Sequence, residues 1–592
     1  MKPKLLLIGI DAMSPLVVTR LIKRGLLPHF AKLQFSPLAT TTPPETPVAW
    51  SAAATGSNPG RYGIFDFIDR DPSTYLPKLC LTEEKVGLMK TEYKSLMRGT
   101  PFWKILNAAG ISTTVIRWPL TFPAEAINGR LFAGLGAVDI KGSLNSYTFF
   151  STDPADLQGK GAEKVTALEM AGNTCETKIE GPTVKKRGKE VTITCPLRLE
   201  KLPSGKLLLQ SRETQVELAE GKWSPFFRLS FEILPFHFVR GIANAYLVSN
   251  GSHVRLYISS VQIDPSNQSQ PLTSPPEYGK ELEEQIGLCY TLGMPEETKA
   301  VTEGKLPMTA FVEHIKDIES QREAHLFFEL SRFKEGVLAF IFDAGDRLKH
   351  LTWKELKDGS DSVPQEIEEY YMAKDRMLGK VLEQLDQDTK LIIMSDHGFS
   401  QFHRQVNINR WFHENGYLSL SGPCEAELFK SVNWSETKAY AVGFTSLFLN
   451  LAGREASGVV TTAQREPLLE EIRSKLLALK DGNNLVVENV HRGDQLYKGK
   501  LAHEAPDLVI GFKPGYRMSW QSALGLIGND LITDNDSAWA ADHLIDSKFV
   551  PGVIFTNFPI SKQAPTIFDI APTVLQRFGL PKGEEMDGEA LG

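Results

Sequence analysis

The sequence predicts an α/β protein: a doubly wound, mostly parallel sheet with helices on both faces and a β-rich inserted cap domain. Three observations carry this expectation. Short, continuous apolar runs at residues 4–10, 113–118, 337–342, 391–394, 507–512 and 552–556 read as strands buried on both faces, the pattern of a parallel sheet. Helical apolar spacing falls between several of them, over 17–33 and through Ile367, Tyr371, Leu378, Leu382 and Leu385. The stretch 151–330 departs from that alternation, with Val-, Thr- and Leu-rich segments at 183–199, 206–218 and 254–263 and the turn Leu202-Pro203-Ser204-Gly205 between two of them.

Helical stretches near 280–293 and 307–333 complete that region, and its Ser/Gln/Pro-rich part at 264–276 is loop. The chain therefore divides into a discontinuous catalytic core, 1–150 and 331–592, and an inserted cap or substrate domain, 151–330, with a further insertion from about 401 to 535. Length alone would allow about three to five domains; a large α/β core with insertions lowers that number.

Composition excludes several classes of function. With 42% hydrophobic and 23% charged residues the chain folds rather than staying disordered. Lys and Arg number 65 against 72 Asp and Glu, a net charge of −7, and no long basic block occurs, so no nucleic-acid polymer is expected as partner. Cys80, Cys175, Cys195, Cys289 and Cys424 are scattered without CxxC spacing, which argues against a disulfide framework or a Cys-rich zinc site and suits a reducing compartment. No apolar run has the length of a membrane span. The first run is short and ends in Asp11, so it reads as a buried strand rather than a leader, and the protein as cytoplasmic.

The chemistry is concentrated where the apolar runs stop. Sites in open α/β sheets form beyond the carboxyl ends of the strands. The first run ends in Asp11; 337–342 leads into Asp343-Ala344-Gly345-Asp346 and on to His350; 391–394 leads into Ser395-Asp396-His397-Gly398; Ala541-Asp542-His543 comes late in the chain. Asp346 and His350, four apart, share one helical face, which favours Asp346 over Asp343. Carboxylates combined with imidazoles suit zinc or manganese. Asp11, Asp346, His350, Asp396, His397 and His543 make two sets of three. Bare, they carry about three negative charges and repel an anion; two divalent cations invert that sign and attract phosphate.

The segment Thr40-Thr41-Thr42-Pro43-Pro44-Glu45-Thr46-Pro47-Val48-Ala49-Trp50-Ser51 predicts a helix starting near Pro47 with Thr46 at its N-cap, its hydroxyl at the positive end of the helix dipole. A free alcohol is a poor nucleophile, and a metal ion makes it an alkoxide. His403, His413, His491 and His503 have no partner at ligand spacing and read as structural or exposed.

Taken as an ordered set, these motifs resemble the alkaline phosphatase superfamily, within it the type I phosphodiesterase/nucleotide pyrophosphatase group, and most closely its predicted phosphohydrolase/phosphomutase branch. The matching pieces are Ile8-Gly9-Ile10-Asp11, Thr46-Pro47-Val48-Ala49-Trp50 with Thr55-Gly56, Asp346 through His350, Ser395-Asp396-His397-Gly398-Phe399, Ala541-Asp542-His543, and the C-terminal Asp569-Ile570-Ala571-Pro572 and Met586-Asp587-Gly588.

The resemblance implies one metal held by Asp346, His350 and His543, a second held by Asp11, Asp396 and His397, and Thr46 as the nucleophile bridging toward both. It also implies an Asn near Phe67 that helps bind a phosphoryl oxygen; none occurs in Gly63-Ile64-Phe65-Asp66-Phe67, leaving the Thr46 amide or Asn58 as stand-ins. The expected function is a two-metal phosphohydrolase, with zinc or manganese, cleaving a small phosphomonoester or phosphodiester through a phospho-threonine. The rivals are a phosphomutase or phosphotransferase using the same intermediate, and a non-catalytic binding protein on the same fold. A sulfatase is less expected, because that group builds its nucleophile in a Cys/Ser-x-Pro-x-Arg motif and Thr46-Pro47 offers no such arrangement.

Overall fold

A computed structural model describes residues 3–86, 91–186, 188–353 and 362–592. The chain forms two compact units, Met1–Leu81 with Leu96–Thr113 and Lys334–Gly592, and Thr82–Ser95 with Thr114–Phe333. The second unit takes in Thr82–Ser95, and its long segment begins at Thr114, ahead of the compositional change at 151.

Within the first unit the sheet order is Gln34–Leu38, Gly552–Thr556, Lys390–Met394, Lys4–Ile10, Gly336–Phe342. Lys4–Ile10 pairs in parallel with Gly336–Phe342 and with Lys390–Met394. Apart from Lys4 and Lys390 at their starts, these strands are buried throughout, which is why their sequences read as unbroken apolar runs. Gly552–Thr556 is just as buried but runs antiparallel to both neighbours, so the sheet is mixed at that edge.

Register fixes where the site forms. Ile10 lies opposite Phe342 and Gly9 opposite Met394, so the three parallel strands end at one level. The residues that follow, Asp11, Asp343 to Asp346, and Asp396-His397, therefore emerge along one edge. Gly9 is required by close packing: a Cβ there would stand 2.3 Å from the Trp50 ring and 2.4 Å from Ile341.

Two expected elements differ. The helix expected over 17–33 is Pro15–Lys23 followed by a single turn at Phe30–Lys32, because Gly25, at φ +73°, turns the chain. The run at 507–512 is a strand, Leu508–Phe512, but it lies in a separate antiparallel sheet with Val487–Arg492, Ser446–Leu449 and Ala439–Ala441. That sheet has its own core around Tyr440, Phe448, Leu469 and Ile510, and an apolar run buried on both faces does not reveal which sheet it joins. The helix through Ile367 and Leu378 is Gln365–Gln384, with both residues buried.

The second unit is β-rich. The hairpin Thr174–Lys186 and Lys189–Lys201 is extended by Leu207–Gln210 and Gln215–Leu218, and beside it form sheets containing Phe227–Leu234 with His237–Ala243, and Thr148–Ser151 with Val254–Ile258. Leu199, Leu209, Phe231, Leu247 and Ile258 share one core. The stretches expected near 280–293 and 307–333 are helices Tyr278–Ile286, ended at Gly287, and Met308–Ser331. Among the described residues no helix is long and apolar enough to cross a membrane.

Gly9→Ala is expected to displace Trp50 or Ile341 and to destabilise the fold by about 1–3 kcal/mol, the usual range for overpacking a core. A denaturant titration showing no change in midpoint would contradict that account of Gly9.

Candidate metal centre

The segment carrying Thr46 is held from both ends. Thr46–Thr55 is a helix, and Glu45 rather than Thr46 occupies its N-cap position; Thr46 is the first helical residue and Pro47 the second. The helix takes this start because Pro47 follows Thr46, placing proline in the first turn, where its missing N–H has no intrahelical partner to lose. At the other end Gly56, at φ +64°, closes the helix, and its carbonyl accepts the amides of Asp587 and Gly588. The C-terminal Met586-Asp587-Gly588 motif thus clamps the helix that begins with Thr46.

All seven side chains expected in the site converge in the first unit, and each is buried. The Thr46 hydroxyl lies 3.3 Å from His397 Nε2. That nitrogen is 3.2 Å from Asp396 Oδ2 and 3.8 Å from Asp11 Oδ1. The His397 and His543 rings stack with centroids 3.7 Å apart. His543 Nε2 is 3.6 Å from Asp346 Oδ1, and His350 Nε2 is 3.2 Å from Asp346 Oδ2. Asp11, Asp396 and His397 bring one ligand atom each within 4.8 Å of one another, and so do Asp346, His397 and His543. Asp346 and His350 share a face of the helix Ala344–Thr352, which begins one residue after Asp343.

The imidazoles are oriented by backbone carbonyls. His350 Nδ1 is 2.8 Å from the Ala541 carbonyl, His397 Nδ1 3.0 Å from that of Gly398, and His543 Nδ1 2.7 Å from that of Pro44. A carbonyl only accepts, so each Nδ1 carries a hydrogen and each Nε2 is the nitrogen turned inward. His543 arrives by strand pairing: Ser400 lies opposite Asp542, which sets the following residue beside the 397–399 turn.

The carboxylates fit a cation better than they fit each other. Asp11 Oδ1, Asp346 Oδ1, Asp396 Oδ2 and His350 Nε2 are buried and have no hydrogen-bond partner among the described residues. Asp11 Oδ2 accepts from Trp50 Nε1 at 3.2 Å, and Asp396 Oδ1 from the Ala12 amide at 3.1 Å. Burial first, then Asp396 and Asp346, push the Asp11 carboxyl well above its ordinary range. Burial pushes Asp396 up to about 7, with Asp346 adding to the rise. Against the effect of burial, His350 and Arg347 hold Asp346 well below the usual carboxylate range. Burial lowers His397 and His543, keeping both imidazoles neutral. Buried, unpartnered oxygens facing neutral Nε2 lone pairs form a donor set suited to zinc or manganese.

Several residues at the site carried no assignable signal in the sequence. Asp542, next to His543, accepts the amides of His543 and Leu544 on Oδ1 and the indole N–H of Trp539 on Oδ2. Trp539 stacks on His350 with centroids 3.7 Å apart. Glu45 accepts the Phe67 amide at 2.6 Å, and burial with Asp66 nearby pushes its carboxyl well above the ordinary range. Asp66 in turn accepts the amides of Phe444 and Thr445. Phe67 itself packs against the core around Tyr440 and supplies no side-chain donor. Asn58 is not available as a stand-in: it caps the short helix Pro59–Tyr62, accepts from Gly60 and Lys498, and donates to the Leu496 carbonyl.

The family model for type I phosphodiesterase/nucleotide pyrophosphatase matches residues 5–171 and 248–525. Those segments contain Asp11, Thr46, Asp346, His350, Asp396 and His397; His543 lies beyond them, and 172–247 covers the long hairpin of the second unit. No curated protein matches the chain. Among solved structures, murine ectonucleotide pyrophosphatase/phosphodiesterase 5 is similar at 11% identity, covering 98% of this chain and 96% of that one, with a TM-score of 0.40. Phosphonoacetate hydrolase from Sinorhizobium meliloti 1021, in complex with phosphonoformate, is similar at 12% identity, covering 96% and 94%, with a TM-score of 0.42.

A pH dependence follows for the metal-free protein. Asp396 titrates at about 7 when folded against an ordinary 3.8. Between those values the folded chain holds a proton that the unfolded chain has released, so stability falls as pH rises across that window. In chelator-treated protein, Asp396→Asn is expected to melt above wild type at pH 8, with the gap narrowing at pH 5. Adding zinc or manganese at pH 8 is expected to raise the wild-type midpoint by more than that of the variant. Equal midpoints for both chelated proteins at pH 8 would count against this charge balance.

Proposed function

The chain belongs to the type I phosphodiesterase/nucleotide pyrophosphatase family, which makes it a phosphoester hydrolase, and we propose that it is a two-metal enzyme acting on a small phosphate ester through a phospho-threonine at Thr46. The observation that carries this reading is the set of buried ligand atoms without partners beside the Thr46 hydroxyl. Asp11, Asp396 and His397 would hold one divalent cation, and Asp346, His350 and His543 the other, with Thr46 toward both. Bound there, the cations would supply positive charge to the phosphoryl oxygens and lower the pKa of the attacking hydroxyl.

The protein's own part in the reaction follows from how each group is held. Pro47 and the Gly56 clamp fix the helix that carries Thr46, so the hydroxyl is placed without loss of rotational freedom at the moment of attack. His397 Nε2, 3.3 Å from the threonine hydroxyl, sets Thr46 beside the proposed ligand set. Thr46 Oγ1 gives its proton up to water and forms a bond to phosphorus as the phosphorus–oxygen bond to the leaving group breaks in line. Water then attacks the phosphorus from the vacated side, releasing phosphate or a phosphomonoester and restoring the hydroxyl. The second compact unit is read as the insertion that selects the substrate.

The test is turnover of p-nitrophenyl phosphate against bis-p-nitrophenyl phosphate, with zinc and with manganese, for wild type and Thr46→Ala. The variant is expected to keep its metal and to lose at least about 100-fold in kcat, the scale of removing a positioned catalytic group. Wild-type turnover in Thr46→Ala would remove the threonine from the mechanism, and release of phosphate to water rather than transfer to an added alcohol separates a hydrolase from a phosphotransferase.

A further inference from the structure

We propose that the buried ion pair between Arg517 and Asp542 is the positioning device of one metal site, orienting both His350 and His543; the inference rests on the two-metal reading. Arg517 is 1% exposed. Its guanidinium carbon lies 4.5 Å from the Phe402 ring centroid and 4.9 Å from those of Phe444 and Trp520. Its Nε donates to the Met518 carbonyl at 3.0 Å and its Nη1 to Asp542 Oδ2. An arginine so enclosed by aromatic faces has little freedom to choose another partner.

Asp542 passes that rigidity on. Its Oδ1 accepts the His543 amide at 2.8 Å and the Leu544 amide at 3.2 Å, fixing the turn that delivers His543. Its Oδ2 accepts the Trp539 indole at 2.8 Å, and that ring lies flat on His350. Ala541, one residue before, supplies the carbonyl that takes His350 Nδ1. One ion pair thus fixes the backbone carbonyl behind His350, the ring stacked over it and the loop bearing His543.

A direct ligand role for Asp542 is the alternative, since its carboxylate, His350 and His543 offer atoms within 4.8 Å of one another. Both of its oxygens are already engaged, Oδ1 by two amides and Oδ2 by Arg517 and Trp539. Asp542 Oδ2 also stands 4.0 Å from the Nδ1 side of His350, the side turned away from the inward-facing Nε2. Asp542 therefore acts through the histidines.

The experiment titrates metal-free wild type, Asp542→Asn and Arg517→Lys with zinc in competition with a chromophoric chelator, at one pH. Wild type is expected to take up two equivalents. Each variant is expected to keep both but to bind one of them about 10–100-fold more weakly, the range for removing an outer-sphere partner. The unchanged second equivalent, assigned to Asp11, Asp396 and His397, shows that the fold is intact. Unaltered affinities at both sites overturn the positioning role alone. Loss of one whole equivalent in Asp542→Asn only makes Asp542 a ligand and overturns it too. Equal weakening of both sites marks a general scaffold role and does the same. A wild type that binds no zinc overturns the two-metal reading and this inference with it.

Discussion

Three carboxylates gathered out of water at one sheet edge are the constraint around which the first unit is organised. Asp11, Asp346 and Asp396 are each nearly inaccessible, and several of their oxygens meet no donor. Left to themselves such groups repel, and the chain answers by raising two of them toward protonation and holding the third ionised with His350 and Arg347. Packing does not call for this arrangement, since apolar residues of similar volume in place of buried charges are often as stable or more so. Such inward-facing lone pairs are complementary to positive charge, which is the basis of the proposed two-cation reading.

Geometry at that edge comes from two sources of different stiffness. The parallel register of Lys4–Ile10 with its neighbours delivers Asp11 and Asp396-His397 directly from strand ends, where the ladder leaves little freedom. His543 comes instead from a short bridge, Ala541–Asp542, paired with Ser400 and Gln401. Such a bridge is a weak anchor, and the surrounding hydrogen bonds make up for it: the Pro44 carbonyl takes the imidazole N–H, and Asp542 takes the backbone amide. The Pro44 contact has a second consequence. Pro44 lies two residues before Thr46, so His543 and the Thr46 segment hold each other in place.

Much of the site was legible along the chain. Asp11, Asp396 and His397 stand where buried apolar runs stop, and Asp346 with His350 has helical spacing; both patterns follow from local geometry. The helix start at Thr46 was legible too, through its prolines, although Glu45 rather than Thr46 takes the cap position. The stand-in for the missing Asn was not: Asn58 is spent on capping and on Lys498 and Leu496. The residues behind the histidines were equally hidden. Arg517 sits 25 positions before Asp542, on a strand of an inserted sheet, and no periodicity joins them.

What the sequence determined by itself is the alternation of buried strands and helices and the chemical identity of the inward groups, because both are written in short-range spacing. Tertiary structure alone decided strand direction at the sheet edge, where Gly552–Thr556 runs antiparallel, and sheet membership for Leu508–Phe512. It also decided which nitrogen of each imidazole faces inward. The physical reason is common to all three. Burial of an apolar strand is indifferent to the direction and identity of its neighbours, and a histidine tautomer is set by whichever carbonyl folding brings to its other side.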